Sequence, residues 1–230
     1  MADVKINGTE IMSTGVAIFV KTPTLSPVKT RLAAGIGDAA AQAFYDHSVK
    51  AVAETVKALD VTAYWAVAEE DGVGDPLWQD FPNLHTGDGC LGARQHHIYE
   101  TLLQKHDRVV LIGADAPQIS TEIMERAVIA LDMHDFTIGP ARDGGYYLFG
   151  GRVSTDLKIW TSVPWSTSMT RERLEAVLPS RPAALPMLTD VDREDDLQYI
   201  GDEMPADMNA GQVHLLEWIE GRGRCIARHG

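Results

Sequence analysis

An unbroken apolar run, Val109-Val110-Leu111-Ile112, closes on Gly113-Ala114-Asp115-Ala116-Pro117-Gln118 in the middle of the chain. Consecutive apolar residues with no polar alternate leave a strand without a solvent-facing side, so it must be covered on both faces. Such strands belong to mostly parallel sheets sandwiched between helices. Gly113 and Pro117 end the run, and the carboxylate of Asp115 then stands just beyond the carboxyl end of the strand. Clefts of open α/β sheets form there. Asp115 is therefore a candidate for holding a metal or substrate, and capping of the following turn is the other role open to it.

The rest of the chain alternates in the way this strand requires. Val16 to Val20 reads as a first buried strand. Ala43, Phe44, Val49, Val52, Val56 and Leu59 then fall at helical spacing within Ala39 to Leu59. A second strand is expected over Val61 to Ala68, followed by an acidic loop from Glu69 to Pro76, a helix from about Leu91 to Lys105 and the strand ending at Gly113. Ser120 is a candidate cap for a helix whose Ile123, Met124, Ala127, Val128 and Leu131 form one face. Phe136 to Gly139 and Tyr146 to Phe149 read as strands around a glycine-rich turn. Beyond them come a helix from about Ser168 to Leu178, a short strand near Leu185 to Leu188 and an amphipathic helix from Gly211 to Ile219, with a frayed Gly- and Arg-rich end. Neither internal repeats nor low-complexity linkers interrupt this order. The expectation is one domain over residues 1–230, ordered from about 14 to 220, with a Rossmann-like three-layer α/β/α sandwich around a mostly parallel sheet.

Composition narrows the function classes. With 230 residues and 45% apolar content the chain can build one substantial core. No segment reaches the roughly 18 uninterrupted apolar residues of a membrane span, and the amino terminus lacks the pattern of a secretory leader, so a cytoplasmic protein is expected. Cys90 and Cys225 have no metal-type spacing and read as reduced bystanders. A net charge of -13 argues against nucleic-acid binding, which needs clustered cations. It does not argue against a small anion, because Lys21, Lys29 and Arg31 are gathered in one short acidic-poor segment.

Four segments carry candidate chemistry. Phe19 to Leu32 follows the first strand; if extended, it turns the alternating Lys29 and Arg31 the same way, toward phosphates. It has neither the P-loop spacing nor the Gly-x-Gly-x-x-Gly fingerprint, which disfavours a dehydrogenase. Gly87-Asp88-Gly89-Cys90-Leu91-Gly92-Ala93-Arg94-Gln95 opens a helix, and Gly87 and Gly92 would let backbone approach a nucleotide. Gly139-Pro140-Ala141-Arg142-Asp143-Gly144-Gly145 is first a hairpin signal, yet Arg142 and Asp143 beside Gly144 and Gly145 would suit an acceptor pocket. Thr189-Asp190-Val191-Asp192 puts two carboxylates on one side of an extended segment. With Asp115, Asp190 or Asp192 would suit a hard divalent cation such as Mg2+ or Mn2+. A solvated acidic helix start is the alternative. His96 and His97, adjacent on a helix, face apart and make a poor metal pair, while Tyr64 and Trp65 read as core. Trp165 would stack on a base or acceptor or else anchor its loop.

In this order the motifs Phe-x-Lys-x-Pro, Val-Lys-Thr-Arg-Leu, Gly-Ala-Asp-Ala-Pro, Gly-Pro-Ala-Arg-Asp-Gly-Gly-Tyr-Tyr, Val163-Pro164-Trp165-Ser166-Thr167 and Thr-Asp-Val-Asp resemble the bacterial DUF2064 proteins, assigned to the nucleotide-diphospho-sugar transferases of the glycosyltransferase A type. The resemblance spans roughly Val16 to Leu197 and extends more distantly to phospholactate and molybdenum-cofactor nucleotidyltransferases. It implies a metal-dependent transfer from a nucleotide-diphospho-sugar donor to a small-molecule acceptor. Nucleotidyl transfer from a nucleoside triphosphate to a phosphorylated small acid or cofactor, and nucleotide binding without catalysis, stay open. On this resemblance Lys21, Lys29 and Arg31 would contact phosphates, with Gly87 and Gly92 near the nucleotide. Asp115 and Asp143 would be catalytic, Arg142, Gly144, Gly145 and Trp165 would border the acceptor, and Asp115, Asp190 and Asp192 would hold the metal. The chain departs from the pattern at Leu25-Ser26, where Pro-Gly is usual, and at Arg193-Glu194, where Thr-Pro is usual. An apolar face expected on the last helix suits a homodimer.

Overall fold

The computed structural model describes residues 12–226, with side chains as far as residue 222; the side chain of Cys225 and the end at 227–230 lie outside the described residues. Seven strands form one sheet among the described residues, in the order β3-β2-β1-β4-β6-β5-β7. They are β1 (Thr14–Val20), β2 (Thr62–Val67), β3 (Asn83–His85), β4 (Arg108–Gly113), β5 (Phe136–Pro140), β6 (Tyr146–Gly151) and β7 (Ala183–Ala184). β1 pairs parallel with β2 and β4, and β2 with β3, whereas β6 runs antiparallel to both β4 and β5. The sheet is thus mostly parallel, with one reversed strand where the Asp143-Gly144-Gly145 hairpin turns the chain back.

Side-chain alternation explains the three layers. Val16, Ile18 and Val20 of β1 and Val110 and Ile112 of β4 pack on one face, against α2 (Asp38–Lys57) and α4 (Thr121–Ala130). Ala17, Val109 and Leu111 point to the other face, against α3 (Leu91–Leu103), α5 (Leu157–Thr161) and α6 (Thr170–Val177). Both faces of β1 and β4 are dry, as the uninterrupted apolar run demands. Each such Val, Leu or Ile contributes roughly 1.5–3 kcal/mol on leaving water. Ser120 caps α4, its hydroxyl accepting from the N–H of Ile123 at 3.1 Å. Tyr64 and Trp65 are buried in the core.

Four expectations change. The segment after β1 is not extended throughout, because α1 (Thr30–Ile36) begins at Thr30. Lys29 is its cap in a left-handed conformation with φ 49°, so Lys29 and Arg31 reach Asp115 and Asp192 from a helix start and not from alternate positions of an extended segment. The late strand lies at Ala183–Ala184, and Leu188 contributes only an isolated bridge to Ala141, since Pro186 cannot donate to a ladder. The last helix, α8 (Ala210–Ile226), runs through the glycines of the Gly- and Arg-rich segment instead of fraying after Ile219. Its apolar face is not free as expected: Leu215 and Trp218 pack on Leu32 and Phe44 of α1 and α2. No helix among the described residues is long and apolar enough to cross a membrane.

Candidate active site

A cleft of about 790 Å3 opens at the carboxyl ends of β1 and β4, bordered by the amino ends of α1 and α3 and by the β5–β6 hairpin. The loop after β1 forms one wall and is tied down from several sides. The hydroxyl of Tyr45 on α2 accepts from the N–H of Lys21 at 2.8 Å and donates to its carbonyl at 2.9 Å. The N–H of Thr22 donates to Glu69 Oε2 at 2.9 Å, and Trp78 Nε1 donates to Thr22 Oγ1 at 3.0 Å. Lys21 itself is exposed at the cleft.

The floor is an acidic cluster with a buried ammonium in it. Asp115 follows β4, and its backbone carbonyl accepts from the N–H of Val191 at 3.1 Å, which brings the Asp190–Asp192 segment beside it. Lys29 Nζ lies 2.8 Å from Asp115 Oδ1 and 3.8 Å from Asp190 Oδ1. It also donates to the Val191 carbonyl. Burial favours the neutral amine, but Asp115 and Asp190 outweigh it and hold the lysine above its ordinary pKa, as an ammonium. Burial, followed by the charge of Asp115, pushes Asp190 well above the usual carboxylate range, while Lys29 pulls it down. Arg31, mostly exposed, pairs with Asp192 at 2.5 Å. Asp190 and Asp192 therefore meet different cations. Asp196, at the start of the next helix, accepts from the N–H groups of Asp192 at 2.9 Å and Arg193 at 2.6 Å and fixes the end of the segment.

The opposite wall is aromatic and hydroxylated. Trp165 stacks on Trp160 at 6.3 Å with an 8° interplanar angle and donates from Nε1 to its carbonyl at 2.7 Å. It meets the ring of Tyr146 edge-on, and Tyr146 donates to Gln95 Oε1 of α3 at 2.5 Å. Ser166 carries a positive φ of 61°, a conformation non-glycine residues rarely adopt. Asp143 is exposed at the cleft, accepting from the N–H of Gly145 at 2.8 Å across its turn.

Lys21, Lys29, Arg31, Asp115, Asp143, Gly145, Trp165, Asp190 and Asp192 thus share one cleft. Other candidates stand apart. Arg142 points away from it to Glu203 at 2.9 Å and lies over the Tyr199 ring. Gly144 (φ 90°) fits under the Ser168 carbonyl, where a Cβ would collide with backbone. Gly92 is buried beneath the Trp160 carbonyl and the Trp165 indole, and Gly87 (φ 76°) abuts His97. These are packing and turn positions. His96 turns to the Thr155 carbonyl at 2.9 Å while His97 is exposed. No site role was expected for Arg94, whose guanidinium reaches the Gly89 and Ala68 carbonyls, or for Tyr45, Gln95 and Arg193 at the same cleft. Arg94 sits in the glycine-rich helix start, and its charge was the available signal.

Residues 47–167 match the family model described as "Uncharacterized protein conserved in bacteria (DUF2064)". The chain belongs to the DUF2064 family. No curated protein matches it at a significant level. One solved structure of similar shape comes from Desulfovibrio desulfuricans G20 and is provisionally named a nucleotide-diphospho-sugar transferase. It is 27% identical with a TM-score of 0.75, over 91% of this chain and 98% of its own. CMP:2-keto-3-deoxy-manno-octonic acid synthetase complexed with CTP is 11% identical, TM-score 0.51, over 82% and 96%. The 4-diphosphocytidyl-2C-methyl-D-erythritol synthase of Anaerococcus prevotii DSM 20548 is 13% identical, TM-score 0.50, over 82% and 96%. The last two share the fold.

Proposed function

We propose that this DUF2064 protein is a transferase that uses a nucleotide-activated donor, with a nucleotide-diphospho-sugar as that donor and a small molecule carrying a hydroxyl as acceptor. The observation that carries the reading is the convergence of Asp115, Asp190 and Asp192 with Lys21, Lys29 and Arg31 in one cleft at the carboxyl edge of the parallel strands. The similarity to the Desulfovibrio protein supports it.

The floor also suits a divalent cation. Asp190 Oδ1 is buried and has no hydrogen-bond partner among the described residues. Asp115 and Asp190 supply the hard oxygens that Mg2+ and Mn2+ prefer; Asp192 is taken by Arg31, and no three such side chains among the described residues are grouped closely enough to hold an ion by themselves, so substrate phosphates would complete the shell. Such an ion would neutralise charge on the donor diphosphate. Lys21, Arg31, Arg94 and Arg193 line the cleft to hold the phosphates in place. Trp165 and Tyr146, packed edge-on, form an aromatic wall beside them. Asp143 stands where an acceptor hydroxyl would enter. As that oxygen forms its bond to the sugar carbon and the carbon–diphosphate bond breaks, its proton passes to the carboxylate.

Thermal melts with nucleotide sugars, nucleoside diphosphates and nucleoside triphosphates, each with and without Mn2+, test the reading. A ligand at 100 times its Kd adds about 2.7 kcal/mol, several degrees in Tm. One class of nucleotide should stabilise the wild type more with Mn2+ than without, and Asp115→Asn should remove the Mn2+-dependent part. Stabilisation by triphosphates alone would redirect the reading to nucleotidyl transfer. No shift with any nucleotide would end it.

A further inference from the structure

Lys29 stands where the proposed reading puts the divalent cation. Its Nζ is within 4 Å of both Asp115 Oδ1 and Asp190 Oδ1, and its side chain is only 5% exposed. We propose that the Lys29 ammonium is a built-in substitute for the divalent cation, filling the carboxylate site until donor phosphates draw it away, so that metal and nucleotide enter together. The inference rests on the reading above for the phosphates and on the geometry alone for the occupant.

Charge balance is the first argument. Every carboxylate on the floor already faces a cation, Lys29 between Asp115 and Asp190 and Arg31 on Asp192. With its carboxylates so matched, the floor offers little net charge to strip water from Mg2+, which dehydrates reluctantly. Exclusion is the second. An ammonium and a divalent ion seeking the same carboxylate oxygens repel at contact distance, and in a half-buried floor that repulsion is poorly screened. Mobility is the third. Lys29 Nζ sits at the end of a flexible four-carbon stem, and its rest position is held by Asp115, Asp190 and the Val191 carbonyl, contacts that an incoming anion can replace. Incoming phosphates offer the ammonium an alternative anion and offer the metal additional oxygen ligands. By linkage, the cation then strengthens nucleotide binding by the same factor as the nucleotide strengthens cation binding.

The test is titration of Mn2+ into the full chain, followed by electron paramagnetic resonance, for the wild type and Lys29→Met, first alone and then with UDP, GDP or CTP. Without nucleotide, Lys29→Met should bind Mn2+ at least tenfold more tightly than the wild type. Nucleotide should strengthen Mn2+ binding at least tenfold in the wild type and much less in Lys29→Met. Equal Mn2+ affinity of the two forms without nucleotide overturns the proposal. If Lys29→Met does not fold, the wild type decides: micromolar Mn2+ affinity without nucleotide overturns it, and affinity that becomes measurable only with nucleotide upholds it. Tight Mn2+ binding by Lys29→Met alone, with no nucleotide bound by either form, keeps the substitution and removes the transferase reading.

Discussion

The glycine at position 92 shows how one residue changes meaning between sequence and structure. In the string Gly87-Asp88-Gly89-Cys90-Leu91-Gly92 it looks like backbone left bare for a ligand, but its missing Cβ makes room for the Trp160 carbonyl and the Trp165 indole. Gly92→Ala should therefore cost about 1–3 kcal/mol through overpacking. It should also push Trp165 off its stack and change the tryptophan emission. An unchanged melting curve with lost nucleotide binding would return Gly92 to the ligand. Asp115 was legible because its position is local: it is the first carboxylate after a buried run, and strand ends are where such clefts form. Lys29 was legible as a charge but not as a buried one. Its partners Asp115 and Asp190 come from distant segments, and only the fold puts them within 4 Å. Arg142 was misplaced for the same reason, its partner Glu203 lying at the far end of a helix of which the sequence offered only a start, and that as an alternative.

At the scale of elements, long periodic segments declared themselves and short ones did not. The apolar spacing of α2 and α4 was plain, whereas α1, α5 and α7 (Leu197–Glu203) are too short for a periodicity to repeat. The short helix α7 nonetheless sets the site. Glu203 at its end accepts from the Thr189 N–H at 2.7 Å, Thr189 Oγ1 at 2.9 Å, Gln118 Nε2 at 2.9 Å and Arg142 Nε at 2.9 Å. These bonds clamp the residue immediately before Asp190. Burial favours the protonated acid, but the donors outweigh it and hold Glu203 below its ordinary pKa. A depressed folded value means stability that is present above the unfolded pKa and lost as pH falls through the folded one. Glu203→Gln should cost about 2 kcal/mol in urea unfolding at neutral pH, since a charge-assisted acceptor is lost. The gap to wild type should close as pH falls through the lowered folded value, where the wild-type carboxylate also takes up a proton. A gap constant over that range would show that shape and not charge does the clamping. Weakened Mn2+ and nucleotide binding in the same variant would tie the clamp to the site.

For the whole molecule, the layering followed from apolar runs that leave a strand no wet face, but the strand order did not. The reversal of β6 depends on the tight Asp143-Gly144-Gly145 turn, and the burial of the α8 face depends on α1 and α2 folding back to meet it. Charge is the property of the whole chain that both views share. A net charge of -13 surrounds a cleft whose lining carries Lys21, Arg31, Arg94 and Arg193. An anionic nucleotide thus meets repulsion from the molecule as a whole and attraction only at contact. The two act over different ranges. The Debye length is about 30 Å at 0.01 M salt and about 10 Å at 0.1 M, so added salt screens the distant acidic surface before it weakens the cations that touch the phosphates. The association rate of a nucleoside diphosphate, followed by stopped-flow fluorescence of Trp165 in metal-free buffer, should accordingly rise across that interval. A basic-steered site does the opposite, slowing as salt is added. A rate that falls from the lowest salt upward would mean that the cleft cations, and not the net charge, govern the approach. Capture of the donor at low salt would then need no divalent ion to offset the acidic surface.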